Sequence, residues 1–373
     1  MDDILDFHCW CNSGKKLKEC HFAQETKTPI SFSEKQKTRK KIWNKKYCLH
    51  PDSKKSKCAG KIIEAHSVQK GMLKKIAVDS RVYAPTIKTT PESLEILFEK
   101  KGIGEVSVFT GLCAFHDKET FKKIEDEDFI GNEEQCFLYA YRAVCKELFL
   151  KFANKEDAKY SRTLDAGKPF TFQKATQEFF DKYIIGIEAG ISELTSLKNK
   201  FDKILITKNF NEIHYCIFWI DQTPEILCNG IFQLDYDFLG NPLQSWLNVY
   251  DELDAITLSF ITTSKGGAVI LAWHNSADSV CLPHIQSLLT FPDSVLPNLL
   301  INWVVKELEN IFLSPAWWES LPRINQDIFV EEFMDNPAFM VERKPDYLLE
   351  GRIRGFNWKI TEITSNSFSI LKK

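Results

Sequence analysis

The stretch HCWCNSGKKLKECH, residues 8–21, places three cysteines and two histidines in a short segment that is otherwise rich in lysine. A peptide of this length has no apolar core of its own, so a cross-link or a metal ion must hold it together. Disulfide bonds and metal binding are the two chemistries open to it. The composition of the whole chain distinguishes between them.

The bulk sequence favours metal binding over disulfides. The chain has 373 residues, of which 44% are hydrophobic and 27% charged, as in an ordinary globular protein. Its first residues, MDDILDF, are acidic and lack the layout of a secretory signal, and no apolar run is long enough to span a bilayer. We therefore expect a cytoplasmic protein without a membrane partner, in which cysteines stay reduced. Clustered cysteines in such a protein are expected to bind metal.

The first metal site is predicted from four residues whose side chains are the ligands that tetrahedral zinc takes: Cys9, Cys11, Cys20 and His21. Their sequence, Cys-Trp-Cys-Asn-Ser-Gly-Lys-Lys-Leu-Lys-Glu-Cys-His, resembles the SEC-C motif, with Asn12 replacing the customary glycine. The resemblance implies one structural zinc ion. It also implies a docking role toward a protein partner or a ribosome, without catalysis.

A second group of cysteines and histidines lies further along the first third of the chain: Cys48, His50, Cys58, His66, Cys113 and His116. Four of them can be joined as a second structural zinc site, comprising Cys48, Cys58, Cys113 and His116. His50 competes for the place of Cys48 or for the fourth position. The run Lys61–His66 is β-prone, and Cys113-x-x-His116 opens a stretch that favours a helix.

This second group is similar to the HNH nucleases, which have a zinc-stabilised ββα-metal fold. The resemblance covers about residues 45–125 and is carried by the cysteine pair Cys48 and Cys58, by Glu64-Ala65-His66 and by Leu112-Cys113-Ala-Phe-His116-Asp117. It implies that His66 is a general base and that Asp117 binds a catalytic Mg²⁺ or Mn²⁺ ion, with Glu64 as a further member of the site. Such a nuclease head on an unrelated C-terminal domain resembles bacterial defence or mobile-element proteins.

The sequence also departs from the HNH pattern. Residues 67–110 contain no asparagine, and Asp117 stands where a histidine usually follows the second zinc ligand. In another register Ser67, rather than His66, occupies the position of the base. Two functions therefore remain open: a metal-dependent endonuclease, and an inactive zinc module that docks on nucleic acid, a ribonucleoprotein or a protein.

Charge points to a polyanion partner at the N-terminal end. Residues 1–75 hold 18 Lys and Arg but only 8 Asp and Glu, although the net charge of the chain is −3. The basic stretch SEKQKTRKKIWNKK, residues 33–46, favours a helix with Ser33 as its N-cap. Its candidate nucleic-acid contacts are Lys40, Lys41, Trp43 and Lys45. A solvated basic linker is the alternative interpretation.

The predicted fold is an α+β multidomain protein. Residues 1–25 form a small zinc knuckle, 30–131 the HNH-like zinc domain, 132–208 a helical hairpin, and 209–373 an antiparallel sheet with helices. The hairpin is predicted from the apolar segment 133–153 and from an apolar stripe that runs from Phe180 to Leu205 at steps of three and four.

The C-terminal region is predicted from its strand-like runs and from two helical stretches. Strands are expected at 214–220 and 226–237, and a β-hairpin at 256–274 with its turn at Lys265-Gly266-Gly267. Helices are expected around 277–290 and 294–312.

Overall fold

A computed structural model describes residues 5–11, 13–54, 58, 60–89, 94–245, 251–334, 343–356 and 358–369. The helices in these ranges are α1 (His21–Gln24), α2 (Phe32–Trp43), α3 (Lys70–Ile76), α4 (Ala114–Glu125), α5 (Glu133–Arg162), α6 (Phe170–Thr207), α7 (Asp278–Leu288), α8 (Leu296–Glu307), α9 (Pro315–Ser320) and α10 (Arg323–Met334). The strands are β1 (Ile62–His66), β2 (Arg81–Thr89), β3 (Leu94–Gly102), β4 (Val108–Cys113), β5 (Ile213–Ile220), β6 (Ile226–Gln233), β7 (Ala255–Thr263), β8 (Gly266–His274), β9 (Ile311–Leu313) and β10 (Ile360–Ser365).

The chain divides into two compact units, and each unit combines segments that are distant in sequence. The first consists of Met1–Lys46 and Leu148–Thr195, and the second of Tyr47–Glu147 and Ser196–Lys373. Helices α5 and α6 contribute residues to both units. No helix in the described part of the chain is long and apolar enough to cross a membrane.

The basic helix α2 lies in the first unit and begins earlier than predicted. Its N-cap is Ser31, whose side chain accepts a hydrogen bond from the Glu34 backbone N–H, so the prediction of Ser33 was wrong. The reason lies in the sequence Ser31-Phe-Ser-Glu34, since a serine followed three residues later by glutamate favours the start of a helix at the first serine. None of the residues of α2 is buried.

Helices α5 and α6 form the predicted antiparallel hairpin. In the first unit, Asn154 donates a hydrogen bond to the Tyr183 hydroxyl at 3.1 Å, and Lys155 pairs with Glu188 at 2.6 Å. In the second unit, the Tyr141 hydroxyl donates to Asp202 at 2.6 Å. Three members of the predicted apolar stripe of α6 are buried, namely Ile187, Leu194 and Phe201, whereas its other members are half-buried.

An eight-stranded antiparallel sheet dominates the second unit, in the order β10-β5-β8-β7-β6-β9-β2-β3. Its central strands β7 and β8 are buried along almost their whole length, so both of their faces are covered. Leu258 and Phe260 of β7 lie in one core cluster with Trp303 of α8 and Phe329 of α10. The expected mixture of helices and antiparallel strands is therefore present.

Two local predictions in the C-terminal region were wrong. The β7–β8 turn is Ser264-Lys265, and Gly266 already belongs to β8, with a φ of 141°. A Cβ atom on Gly266 would overlap the Ile220 carbonyl oxygen, so glycine is required there for close strand approach. The predicted helix 294–312 ends at Glu307, because residues 311–313 instead form β9, which pairs with β6 and β2.

A separate two-stranded sheet positions the second Cys/His cluster. Strand β1 pairs antiparallel with β4, with Ile62 opposite Cys113 and His66 opposite Val108, and α4 follows β4 directly. Between β1 and β4 the chain forms α3, β2 and β3. Strands β2 and β3 do not join the small sheet but extend the eight-stranded sheet at one edge. This arrangement is a ββα element with a long insertion.

Candidate metal centres and the ββα site

The N-terminal cluster is held by a tight backbone loop. The Cys9 N–H donates to the Lys15 carbonyl at 2.8 Å, and the Leu17 N–H donates to the Phe7 carbonyl at 2.9 Å. Gly14 has a φ of 72°, which favours glycine at this bend. The loop brings its ligand atoms within 4.8 Å of those at the start of α1, completing the set Cys9, Cys11, Cys20 and His21. This group can hold a metal ion.

The donor atoms of this cluster suit zinc. The Cys9 Sγ lies 3.2 Å from the His21 Nδ1, and the Cys11 Sγ lies 3.6 Å from the Cys20 Sγ. Burial raises the pKa of Cys9 to about 11 and lowers the pKa of His21. Three sulfurs and one neutral imidazole nitrogen form a tetrahedral zinc donor set.

The other side of the His21 imidazole contacts the helical hairpin. Its Nε2 lies 3.1 Å from the Asp165 Oδ2, and Asp165 is completely buried. Arg162 donates to the Cys11 carbonyl oxygen at 3.0 Å. The sequence predicted neither residue, because both follow the knuckle by more than 140 residues and no local pattern connects them to it.

The second cluster combines the end of β4 with a preceding loop. Cys113 caps α4, and its Sγ accepts a hydrogen bond from the His116 N–H at 3.4 Å. The Cys48 Sγ lies 3.4 Å from the His116 Nδ1. All the ligand atoms of the cluster lie within 4.8 Å of one another, in the set Cys48, Cys58, Cys113 and His116. This group can also hold a metal ion.

His50, which competed for a place in this cluster, lies beside it. Its ring stacks on that of His116 with a centroid distance of 3.9 Å and an interplanar angle of 7°. Its Nδ1 accepts a hydrogen bond from the Asp52 N–H at 3.1 Å. Burial, followed by the proximity of His116, lowers the pKa of His50 to about 4. His50 therefore contacts His116 but is not one of the four residues whose ligand atoms are grouped.

The four residues compared with an HNH site, including the alternative base Ser67, lie in different environments. His66 ends β1, and its Nε2 lies 3.2 Å from the Ile103 carbonyl oxygen. Asp117 lies in the first turn of α4, and its buried Oδ1 has no hydrogen-bond partner among the described residues. Glu64 is exposed at an irregularity in the β1–β4 pairing. Ser67, the alternative base, is buried and hydrogen-bonded to the Ser107 hydroxyl at 2.8 Å.

Arg142 is a buried charge beside α4 that the sequence did not predict. Only 1% of it is exposed; it donates to Glu125 at 2.6 Å, and its guanidinium lies 4.0 Å from the centre of the Phe121 ring. Its Nε and Nη1 have no hydrogen-bond partner in the described part of the chain. Burial raises the pKa of Asp117 to about 6, and Arg142 opposes this shift. No sequence signal marked Arg142, because it lies in the most apolar part of α5.

The basic surface is formed by the exposed side chains of α2 and the residues that follow it. Lys40, Lys41 and Lys45 are exposed, and 38% of Trp43 is accessible to solvent. Lys45 lies 4.0 Å from Glu156. Arg39, in contrast, pairs with Asp157 at 3.2 Å and so attaches the helix to the hairpin.

The chain matches the SEC-C motif over residues 9–23. No curated protein and no solved structure matched it. The matched segment contains all the members of the N-terminal cluster, whose ligand atoms are close enough to hold one metal ion. Residues 9–23 are therefore similar to a SEC-C zinc module.

Proposed function

We propose that this chain is a nucleic-acid-directed protein with two structural zinc ions, whose β1–β4–α4 element is an HNH-like nuclease that depends on Mg²⁺ or Mn²⁺. Each zinc is held by three cysteines and one histidine, namely Cys9, Cys11, Cys20 and His21, and Cys48, Cys58, Cys113 and His116. The closeness of the ligand atoms in both groups supports the zinc part of the proposal.

One contact carries the nuclease part: the hydrogen bond between the His66 Nε2 and the Ile103 carbonyl oxygen. A carbonyl can only accept, so Nε2 carries the proton and Nδ1 is left with a lone pair. Burial lowers the pKa of His66, so that the neutral imidazole is favoured near neutral pH. A neutral imidazole with a fixed tautomer and a basic Nδ1 is suited to act as a general base.

Two charged side chains support a phosphodiester substrate. The buried Oδ1 of Asp117 has no hydrogen-bond partner among the described residues and fits one ligand position of a divalent cation. Such a cation commonly takes its remaining ligands from water and substrate phosphate. Such a cation would stabilise the charge that develops on the phosphate oxygens. Arg142, which is paired with Glu125, favours the ionised form of Asp117 and the neutral form of His66, and Glu125 acts on both pKa values in the opposite sense.

The reaction follows from these roles. His66 accepts a proton at Nδ1 as a water oxygen attacks phosphorus. The bond between phosphorus and the leaving oxygen breaks, and that oxygen takes up a proton from solvent. The products are a phosphomonoester and a free hydroxyl.

The test is cleavage of duplex DNA, single-stranded DNA and RNA with Mg²⁺ or Mn²⁺. Loss of a general base lowers rates by about 10²–10⁴-fold, so His66→Ala should lose activity to that extent and keep its zinc. His274→Ala is a matched control, because His274 is also half-buried but contacts Ser276 and Glu212 rather than the β1–β4–α4 element. A wild-type protein that cleaves none of these substrates, or a His66→Ala protein with full activity, would reject the nuclease.

The exposed basic surface of α2 favours a second candidate function, docking on nucleic acid without cleavage. Exchanging Lys40, Lys41 and Lys45 together for glutamine should flatten the slope of log affinity against log salt by about one for each phosphate that is no longer neutralised. Lys182→Gln, an exposed position in α6, is the control. Binding that is absent or insensitive to salt would contradict this candidate.

A protein partner at the N-terminal knuckle is the remaining alternative. It would be favoured by a pull-down that is abolished in Cys9→Ser and unaffected by nuclease treatment.

A further inference from the structure

The tip of the helical hairpin, residues 162–170, packs against the N-terminal cluster. Arg162 donates to the Cys11 carbonyl at 3.0 Å, and the Gly167 N–H donates to the Gln24 carbonyl at 2.8 Å. The Trp10 ring lies 4.4 Å from the His21 ring and 5.7 Å, edge-on, from that of Phe170. The knuckle and the tip therefore share one small interior.

A buried carboxylate lies at the centre of this contact. Asp165 ends a short 3₁₀ turn after α5 and is completely buried. Its Oδ2 lies 3.1 Å from the His21 Nε2 and accepts a hydrogen bond from the Gln177 side chain at 2.7 Å. Its Oδ1 has no hydrogen-bond partner among the described residues. A carboxylate is costly to bury, so its position calls for a compensating charge or donor.

The two nitrogens of His21 face opposite groups. Nδ1 faces the sulfurs, 3.2 Å from Cys9 and 3.4 Å from Cys20, whereas Nε2 faces Asp165. With a metal on Nδ1, the proton of the imidazole must be on Nε2, where it is donated to the carboxylate. Such a hydrogen bond fixes the tautomer and ring orientation and makes the ligating nitrogen more basic.

We propose that Asp165 is a positioning residue for the N-terminal zinc, and that through it the metal holds the tip of the hairpin in place. Asp165 does not touch the metal but orients His21. The proposal goes beyond the SEC-C-like segment, because the carboxylate comes from a part of the chain that the match does not include. It rests on the proposed zinc at this cluster and is independent of the nuclease.

The first experiment measures zinc affinity by chelator competition on the full chain. Cys9→Ser and Cys48→Ser assign the two equivalents of zinc to their clusters. Loss of an outer carboxylate commonly costs 10- to 100-fold in metal affinity, so Asp165→Asn should weaken only the equivalent that Cys9→Ser removes, by at least about 10-fold. Glu178→Gln is the matched control, because Glu178 is an exposed acidic residue of α6.

A second measurement separates orientation of the ligand from simple loss of folding. With Co²⁺ in place of zinc, the absorption bands of the N-terminal site should shift in Asp165→Asn and not in Glu178→Gln. Hydrogen exchange at residues 163–170 should accelerate in Asp165→Asn and in metal-free wild type.

Three outcomes would overturn the proposal: unchanged affinity in Asp165→Asn, equal weakening of both equivalents, or a Co²⁺ spectrum identical to that of wild type. A wild-type protein that binds no zinc at the N-terminal cluster would instead reject the zinc part of the proposed function.

Discussion

The close approach of Gly167 to the segment before α2 yields a quantitative prediction for Gly167→Ala. Gly167 has a φ of 72°, and a Cβ atom there would overlap the Lys27 carbonyl oxygen and lie 2.7 Å from the Pro29 ring. A left-handed conformation costs a non-glycine residue about 1–2 kcal/mol. Relief of the overlap by a backbone shift adds about 1–3 kcal/mol. We expect Gly167→Ala to destabilise the first unit by roughly 2–5 kcal/mol.

Substitutions of two other glycines in the same unit distinguish the cost of the left-handed backbone from the cost of the steric overlap. Gly14 also has a φ of 72°, but a Cβ atom there meets nothing within 4 Å, so Gly14→Ala should cost only the conformational strain of about 1–2 kcal/mol. Gly186 lies within α6, and its Cβ position is also open. Gly186→Ala should stabilise the helix by about 1 kcal/mol.

The assay is urea-induced release of zinc from the N-terminal cluster, followed with a chromogenic chelator and assigned with Cys9→Ser. The expected order of the release midpoints is Gly186→Ala, wild type, Gly14→Ala and Gly167→Ala, from highest to lowest. If Gly167→Ala released its zinc at the same urea concentration as Gly14→Ala, the close contact between the hairpin tip and the Lys27 backbone would be refuted.

Three further predictions concern pH and the second unit. Because burial raises the pKa of both Cys9 and Cys48 to about 11, protons compete with zinc for the sulfurs. The zinc affinity of both clusters should therefore fall steadily as pH is lowered from about 8 to 6. Chelator competition that gives a constant affinity would contradict this prediction. Gly266→Ala should destabilise the eight-stranded sheet by at least about 2 kcal/mol in urea unfolding, because the new methyl group meets the Ile220 backbone. Gly71→Ala is the control and should cause no such loss, because its new methyl group meets nothing within 4 Å. Since burial lowers the pKa of His66, cleavage activity should persist below the pH of about 6.5 at which an ordinary histidine protonates, and an activity midpoint above that value would exclude His66 as the base.

The parts of the site that sequence could predict are those encoded within short segments. Cys9, Cys11, Cys20 and His21 could be grouped by spacing alone, because their ligand atoms meet through one loop and the start of one helix. The second group required a comparison across more than 60 residues, and the place of His50 stayed open until its stacking on His116 was visible.

The parts that sequence could not predict depend on contacts between distant segments. Asp165 lies in the turn between α5 and α6, and Arg142 lies within α5; neither carries a local pattern that connects it to a site. Strand β9 is three residues long, and its conformation is set by pairing with β6 and β2 rather than by its own periodicity. The glycine pair at 266–267 resembles a turn signal, yet its small size serves close packing between strands.

The insertion between β1 and β4 has a consequence for how this protein can be divided. Strands β2 and β3 do not pair with the small sheet that carries the second Cys/His cluster. They form one end of the large sheet, where Tyr83 is paired with Leu313. A fragment cut after about residue 131 would therefore carry a hairpin of two nine-residue strands, β2 and β3, without the neighbouring strand β9. In the remaining piece, β9 would be an uncovered sheet edge. Expression of residues 1–131 alone is thus expected to yield aggregating material unless the large sheet is included.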